Sequence, residues 1–307
     1  MFSHHSLKDW VVATRPWSFP ASAMPVMVTV AWTWAQGIAL NWWLALWALV
    51  NIVFVHAAGN VWSDIADYRS GVDADDTFGV RQLVDGHFTV GEFRRLSLTL
   101  NTIAIAGGLA LVALLGQTCG LACACTLLVI GMAGILLSLL YPRLKYNALG
   151  DVVIALCYAV LPMTGTSLIV SGSVHWAVLW LAVPVGLITV AILHANNVRD
   201  IETDSRAGIS TFAMLTGRSF GAKLYAFEVL FPFFWLFGLM AFRIEPWWLL
   251  TAFAALPMAL KNARTMLDYE QGGPESYARL DERTAQLQLL FSALLIVGLV
   301  ISVVIRS

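Results

Sequence analysis

The chain has 307 residues, 59% of them hydrophobic and only 12% charged, with a mean hydropathy of +0.76 and a formal net charge of −1. A soluble domain carries roughly 25% charged residues, so this composition excludes an ordinary soluble enzyme and indicates a polytopic membrane protein. The near-zero net charge says little by itself, and no nucleic-acid partner is expected.

In chain order, MFSHHSLKDWVVATRPW lacks an apolar core followed by a small-residue cleavage site, so it is not expected to be a cleaved signal peptide. A spanning helix needs about 20 mostly apolar residues. Nine stretches qualify, near 19–37, 41–63, 97–116, 121–141, 148–170, 176–197, 219–242, 247–262 and 284–305, the eighth being short and carrying Pro257. With nine spans, 16 of the 18 basic residues fall on one side, leaving only Arg243 and Arg306 opposite. Cytoplasmic loops carry the Lys/Arg excess. The N-terminus is therefore expected inside, in a cell (plasma or inner) membrane with the working end cytoplasmic.

The inner loops after the second and sixth spans carry nearly all the acids. Asn60 ends the second span and Asn196 the sixth, four spans later, so both acidic segments emerge on one side. The expected fold is an all-α bundle of nine transmembrane helices, two four-helix halves plus a ninth helix, forming a single domain over 1–307. Trp10, Trp17, Trp42, Trp43, Trp176, Trp247 and Trp248 fall at expected interfaces. Gly107, Gly108, Gly131 and Gly134 are expected to allow close helix packing. The cysteines read as small buried hydrophobes.

Residues three or four apart share a helical face. Asn60, Asp64 and Asp67 therefore form one stripe, with His56 a turn earlier, and Asn196, Asp200 and Asp204 form another. Carboxylates at a membrane boundary are costly unless something satisfies them. Mg²⁺ suits these stripes, because it takes oxygen ligands and is commonly held by one or two carboxylates plus substrate phosphates. The other apolar segments would enclose a long lipid tail. Arg81, Lys145 and Arg199 lie within reach in sequence to grip phosphates. Asp75, Asp76, Asp85 and Glu202 read as solvated loop acids. His56 and His194 read first as core or interface histidines bonded to backbone, with a general-base role as the lesser reading, and Asp151 as a helix N-terminal charge. Glu228 lies within the seventh span and reads equally as a functional or an interfacial group.

The segments RPWSFPASAMPV (15–26), NVWSDIADYRSGVDADDTFGVRQLVDG (60–86), YPRLKYNALGD (141–151) and NNVRDIETDSRAGISTFAMLTGR (196–218) resemble the UbiA superfamily of intramembrane prenyltransferases, most closely its 1,4-dihydroxy-2-naphthoate polyprenyltransferases of menaquinone synthesis. The resemblance covers nearly the whole chain. It implies metal and diphosphate roles for Asn60, Asp64, Asp67, Asn196, Asp200 and Asp204, and diphosphate contacts for Arg81, Tyr141 and Lys145. Two departures stand out: Ser63 replaces a second Asn before the first Asp, and Ile209-Ser210 replaces a basic Lys-Arg pair.

The expected reaction transfers a polyprenyl group from a polyprenyl diphosphate to an aromatic acceptor with Mg²⁺. Positive groups would stabilise the leaving diphosphate, aromatic faces such as Phe78, Tyr141 or Tyr158 would stabilise a cation-like carbon, and Asp67 or Asp73 would take the acceptor's proton. Alternatives are the same superfamily with a hydroxybenzoate, homogentisate or other lipid or quinone precursor as acceptor, or a secondary transporter. In a transporter, however, the binding groups would sit near the midplane.

Overall fold

The computed structural model describes residues 5–72, 82–272 and 274–306. In chain order the helices are α1 (Leu7–Ala13), α2 (Pro20–Ala35), α3 (Trp42–Ser70), α4 (Val90–Thr118), α5 (Leu121–Lys145), α6 (Gly150–Ala155), α7 (Leu161–Ser171) and α8 (Leu179–Arg199). They continue with α9 (Ile201–Arg206), α10 (Phe212–Thr216), α11 (Arg218–Ala241), α12 (Leu256–Leu267), α13 (Tyr269–Gly272), α14 (Pro274–Tyr277) and α15 (Leu280–Arg306). Among the described residues there is no strand, only one isolated bridge between Asn147 and Ser210.

Seven helical stretches are long and apolar enough to cross a membrane, at the expected second to seventh and ninth positions. The expected first and eighth spans are helical but different in kind. Helix α2 has 16 residues, roughly 24 Å of rise against a hydrocarbon core of about 30 Å. The eighth is a 3₁₀ segment, Trp247–Ala255, that turns into α12 at the Leu256-Pro257 step.

Helix ends follow capping signals rather than the edges of apolar runs. Helix α3 does not stop near Asn60. It continues through Gly59 and Asn60 to Gly71, which closes the helix in the left-handed region at φ 72°. A Thr89–Glu92 capping box likewise starts α4 ahead of its apolar run. Much of the expected first acidic loop is therefore helix. Helix α5 also runs through Pro142 to Lys145. The expected fifth span carries a π-turn at Leu156–Val160 between α6 and α7, where the Leu161 N–H reaches back five residues to the Leu156 carbonyl. Pro162 explains it: proline donates no N–H and crowds the carbonyl four residues back, that of Tyr158.

The main core joins α2, α8, α11, α12 and α15. Leu287, Phe291, Leu295 and Leu299 of α15 are fully buried in it, so the last helix is central rather than an addition to two halves. Two smaller cores pack α3 and α4 together at either end. Trp17, Trp42, Trp43, Trp176, Trp247 and Trp248 are exposed, as an interfacial belt requires. Cys119 and Cys125 are exposed as well, which corrects the expectation of buried cysteines. No side chain lies near Gly131 or Gly134; both line a cavity instead of a helix contact, another correction.

Candidate functional site

A cavity of about 880 Å³ runs between α3, α4, α5, α7 and α8. Its lower walls are apolar, with Ile52, Leu111, Leu127, Ile169 and Leu193 among them. Between α4 and α5 it reaches side chains that are themselves exposed, Leu109, Met132 and Leu136. Its other end is polar, lined by Arg15, Asn60, Asp67, Tyr141, Lys145, Asn196, Asp200 and Asp204 among others.

The two predicted stripes meet here, with Lys145 between them. Its Nζ lies 3.5 Å from Asp67 Oδ1, and its charge is also felt by Asp204 of the second motif. Asp67 Oδ1 accepts a hydrogen bond from the Tyr146 hydroxyl at 2.6 Å, and Ser63 Oγ donates to Oδ2 at 3.4 Å. Ser63, one of the two departures, thus sits on the same carboxylate. Tyr141 and Lys145 share the cavity wall, as a helix continuing through Pro142 requires.

Asn60 and Asp64 are held by a segment that precedes α2. The turn Thr14–Ser18 docks on α3 with Arg15 in the left-handed region at φ 55°, a strained conformation before a proline. Asn60 Nδ2 donates to the Thr14 carbonyl at 2.9 Å and to Ser18 Oγ at 3.0 Å. Arg15 Nη2 lies 2.5 Å from Asp64 Oδ1. Asp64 is buried and does not line the cavity, in contrast to Asn60 and Asp67.

The second motif is less regular than its spacing suggests. Helix α8 ends at Arg199, Asp200 takes φ −93° and ψ 12°, and α9 restarts at Ile201. Asp200 is gripped by its own neighbour, with Arg199 Nε and Nη2 at 2.7 and 2.8 Å, while Arg199 Nη1 reaches Asp281 at 3.2 Å. Asp204 is buried, and among the described residues no side chain pairs with it. Burial pushes its carboxyl up to about 6, with Lys145 pulling the other way. Asn196 Oδ1 is buried with no partner among the described residues.

Asp73 and Arg81, both expected site residues, lie outside the described residues, as do Asp75, Asp76 and Phe78. Ile209 and Ser210, which replace a basic pair, have a mechanical part. Ser210 N–H donates to the Tyr146 carbonyl at 3.1 Å, and Ala148 N–H donates to the Ser210 carbonyl at 2.9 Å. The loop after α9 is thereby clipped to the loop whose Tyr146 touches Asp67. Burial, then the Asp67 charge, holds the Tyr146 phenol well above its usual range, so it donates.

Sequence reasoning missed Arg15 and Tyr146 as partners of these carboxylates. Arg15 had a signal in its place within RPWSFP; Tyr146 had none, because nothing in periodicity distinguishes it from its neighbours. His56 and His194 are not bonded to backbone as expected. His56 contacts the Ser18 and Ser22 hydroxyls. His194 Nδ1 lies 3.3 Å from Glu228 and 3.8 Å from Asp151, a buried cluster behind the cavity wall that absorbs both acids.

The residues fit a hard divalent cation with a phosphate ligand. The orphaned Asn196 side-chain carbonyl and the buried Asp204 carboxylate, with no hydrogen-bonding side chain on it among the described residues, are oxygen donors of the kind such a cation takes. No three His, Cys, Asp or Glu side chains form a closed cage among the described residues. Such a cage is not required of Mg²⁺, which shares its coordination between carboxylates, water and substrate phosphate.

The profile of the UbiA prenyltransferase family matches residues 22–280. The UbiA prenyltransferase domain-containing protein 1 homolog of Drosophila melanogaster is 33% identical over 302 residues, covering 95% of this chain and 79% of the relative. The human UbiA prenyltransferase domain-containing protein 1 is 32% identical over 310 residues, covering 96% and 84%. The structure of a UbiA homolog from Archaeoglobus fulgidus bound to GPP and Mg²⁺ has a TM-score of 0.58 at 15% identity, covering 96% of this chain and 99% of that one, a likeness of fold.

Proposed function

The chain belongs to the UbiA prenyltransferase family, and from that premise we propose that it transfers a polyprenyl group from a polyprenyl diphosphate to an aromatic acceptor, 1,4-dihydroxy-2-naphthoate. Prenyl transfer is the family activity, and the chain is a multi-pass membrane protein. The carrying observation is Lys145 between Asp67 of the first motif and Asp204 of the second, at the polar end of one cavity whose remainder is apolar.

In this reading the diphosphate lies at the polar end, against Lys145 and Tyr141, with Arg81 joining from the segment after α3. Asn60, Asp64, Asp67, Asn196, Asp200 and Asp204 hold Mg²⁺. Bound there, Mg²⁺ would neutralise charge growing on the leaving diphosphate. Lys145 adds a preorganised positive charge at the same oxygens. The prenyl chain lies along the apolar wall toward the exposed opening between α4 and α5, so the donor need not leave the bilayer. The Tyr141 and Tyr158 rings, both on the cavity wall, are the faces available to a cation-like carbon. The chain works as one domain of nine spans, α2 and the Trp247–Leu267 stretch included, with its N-terminus and diphosphate end cytoplasmic. Residues of both motifs at one polar end of the cavity favour this reading over a transporter, and substrate-dependent diphosphate release separates the two. The names of the relatives specify no acceptor, and naphthoate rests on the motif resemblance.

The test is reconstitution in liposomes with a polyprenyl diphosphate, Mg²⁺ and candidate aromatic acceptors, following diphosphate release and prenylated product. Asp67→Ala and Asp200→Ala should each lose activity by at least about 100-fold, and EDTA should abolish turnover reversibly. Undiminished transfer in both variants would overturn the reading. Prenylation of a hydroxybenzoate but not of the naphthoate would overturn only the acceptor.

A further inference from the structure

We propose that His56 Nε2 is the base that takes the acceptor's hydroxyl proton, an assignment that rests on the transfer reading above. Asp67 and Asp73 were the expected bases. Asp67 is poorly suited: both of its oxygens accept hydrogen bonds, and Lys145 faces one of them. Neither oxygen is thus free of a donor to meet an acceptor hydroxyl. His56 offers the opposite arrangement.

Ser22 Oγ donates to the Phe19 carbonyl at 3.1 Å, and Ser18 Oγ donates to the Arg15 carbonyl at 2.8 Å. Ser18 Oγ also accepts from Asn60 Nδ2. A hydroxyl has one proton, so both serines have already committed theirs. With its proton on the Phe19 carbonyl, Ser22 Oγ accepts from His56 Nδ1 at 2.9 Å, and the ring proton sits on Nδ1. This tautomer is assigned from the network. It leaves Nε2 with a bare lone pair, and Ser18 Oγ at 3.4 Å has no proton to offer it.

Position agrees with the role. His56 lines the cavity and lies four residues before Asn60 on the same face of α3, about 6 Å along the helix axis and away from the diphosphate end. The reacting carbon of the donor is one bond beyond the diphosphate, so a ring attacking it would present its hydroxyl at this level. The imidazole is fixed edge-on by Tyr158, with ring centroids 4.9 Å apart, and by Phe19 on another side. The π-turn around Pro162 is what sets Tyr158 in this wall. Arg15 is the charged group facing His56, and it is committed to Asp64.

The step balances as follows. The allylic C–O bond breaks and its electron pair leaves with the diphosphate. A ring carbon of the acceptor uses its π pair to form the new C–C bond, and the hydroxyl proton passes to His56 Nε2, giving a neutral dienone. The imidazolium returns that proton to the oxygen as the ring carbon loses its own substituent, a proton or a carboxyl group as CO₂. The diphosphate product or water accepts any proton released.

The experiment uses the full-length protein in liposomes, with phenolic acceptors of graded hydroxyl acidity. His56→Gln keeps a hydrogen-bonding atom near Nε2 without basicity, and His56→Asn keeps the donor to Ser22. Each should lower kcat for the least acidic acceptor about 100-fold, the scale of general base catalysis, while binding of a non-reactive donor analogue stays within a factor of two or three of wild type. The deficit should shrink steadily as the acceptor hydroxyl becomes more acidic, which a packing role would not produce. Ser22→Ala, which frees the tautomer, should show a smaller loss with the same trend. Equal kcat in wild type and His56→Gln, or a loss independent of acceptor acidity in Ser22→Ala and His56→Gln alike, would overturn the proposal. Absence of any transfer by wild type would remove the functional reading itself.

Discussion

Replacing Arg15 with Gln probes the ion pair with Asp64 that joins the N-terminal turn to the first carboxylate stripe. Removing one partner of a buried pair costs about 3–5 kcal/mol, because the other charge is left in a poor solvent. Asp64 is only 5% exposed, but the Arg15 side chain keeps 30% exposure and part of the attraction is screened. The expected loss is therefore about 2–3 kcal/mol, or roughly 30- to 150-fold in the folded ratio. Reversible unfolding in mixed micelles, on Arg15→Gln, Asp64→Asn and the double variant, closes a mutant cycle. The double variant should recover most of the stability, because no buried charge remains. It should not recover transfer if Asp64 turns toward metal when the donor binds. An Arg15→Gln protein as stable as wild type would refute the electrostatic account. A double variant with wild-type transfer would refute the metal role of Asp64 and leave it a structural residue.

Tyr146→Phe removes a donor to a charged acceptor, so about 1.5–3 kcal/mol of support for Asp67 is lost; transfer should fall at least about tenfold with a raised donor KM, and unchanged kinetics would show the contact to be idle. Gly298→Ala drives a methyl into the Trp248 carbonyl, where backbone cannot step aside, and should destabilise by about 1–3 kcal/mol in thermal unfolding. Gly131→Leu meets no neighbour at its Cβ and lines the cavity, so stability should hold while preference shifts to shorter prenyl donors in competition assays. Glu245, at the turn after α11, is pushed by burial up to about 7, against the Trp32 N–H and Arg306, which favour its charge. The folded state then binds a proton that the unfolded state has lost between about pH 4.5 and 7, so stability should decline as pH rises through that window. Glu245→Gln should flatten the decline.

The periodic features of the site were legible in the sequence. Asn60, Asp64 and Asp67 lie on one regular helix, so spacing alone put them on one face, although their side chains then diverge: Asp67 and Asn60 line the cavity and Asp64 turns to Arg15. The second stripe was read as helical too, but the chain breaks at Asp200, where Arg199 folds back on its neighbour. Helix ends were misjudged wherever caps outran hydropathy, as at Gly71 and Thr89. Contacts between distant segments carried no local signal at all. Tyr146 with Asp67, Ser210 with Tyr146, and His194 with Glu228 and Asp151 arise only when the helices assemble.

Without a bound metal, the first-motif pair and Asp200 are each held by a cation from within the chain: Asp64 by Arg15, Asp67 by Lys145 and Asp200 by Arg199. Asp204 has no such side-chain pair among the described residues, and burial, opposed by Lys145, raises its carboxyl pKa. In a poorly solvated wall, a set of fully uncompensated carboxylates would be too costly to keep folded. Pairing three of them and setting the fourth within the field of Lys145 limits that cost. Under the proposed reading, an incoming diphosphate with its divalent ions would exchange partners, the phosphate oxygens taking up Lys145 and the carboxylates turning to the metal. These ion pairs would then serve a site that tolerates both states, and the loss of Lys145 should destabilise the donor-free protein as well as slow its turnover.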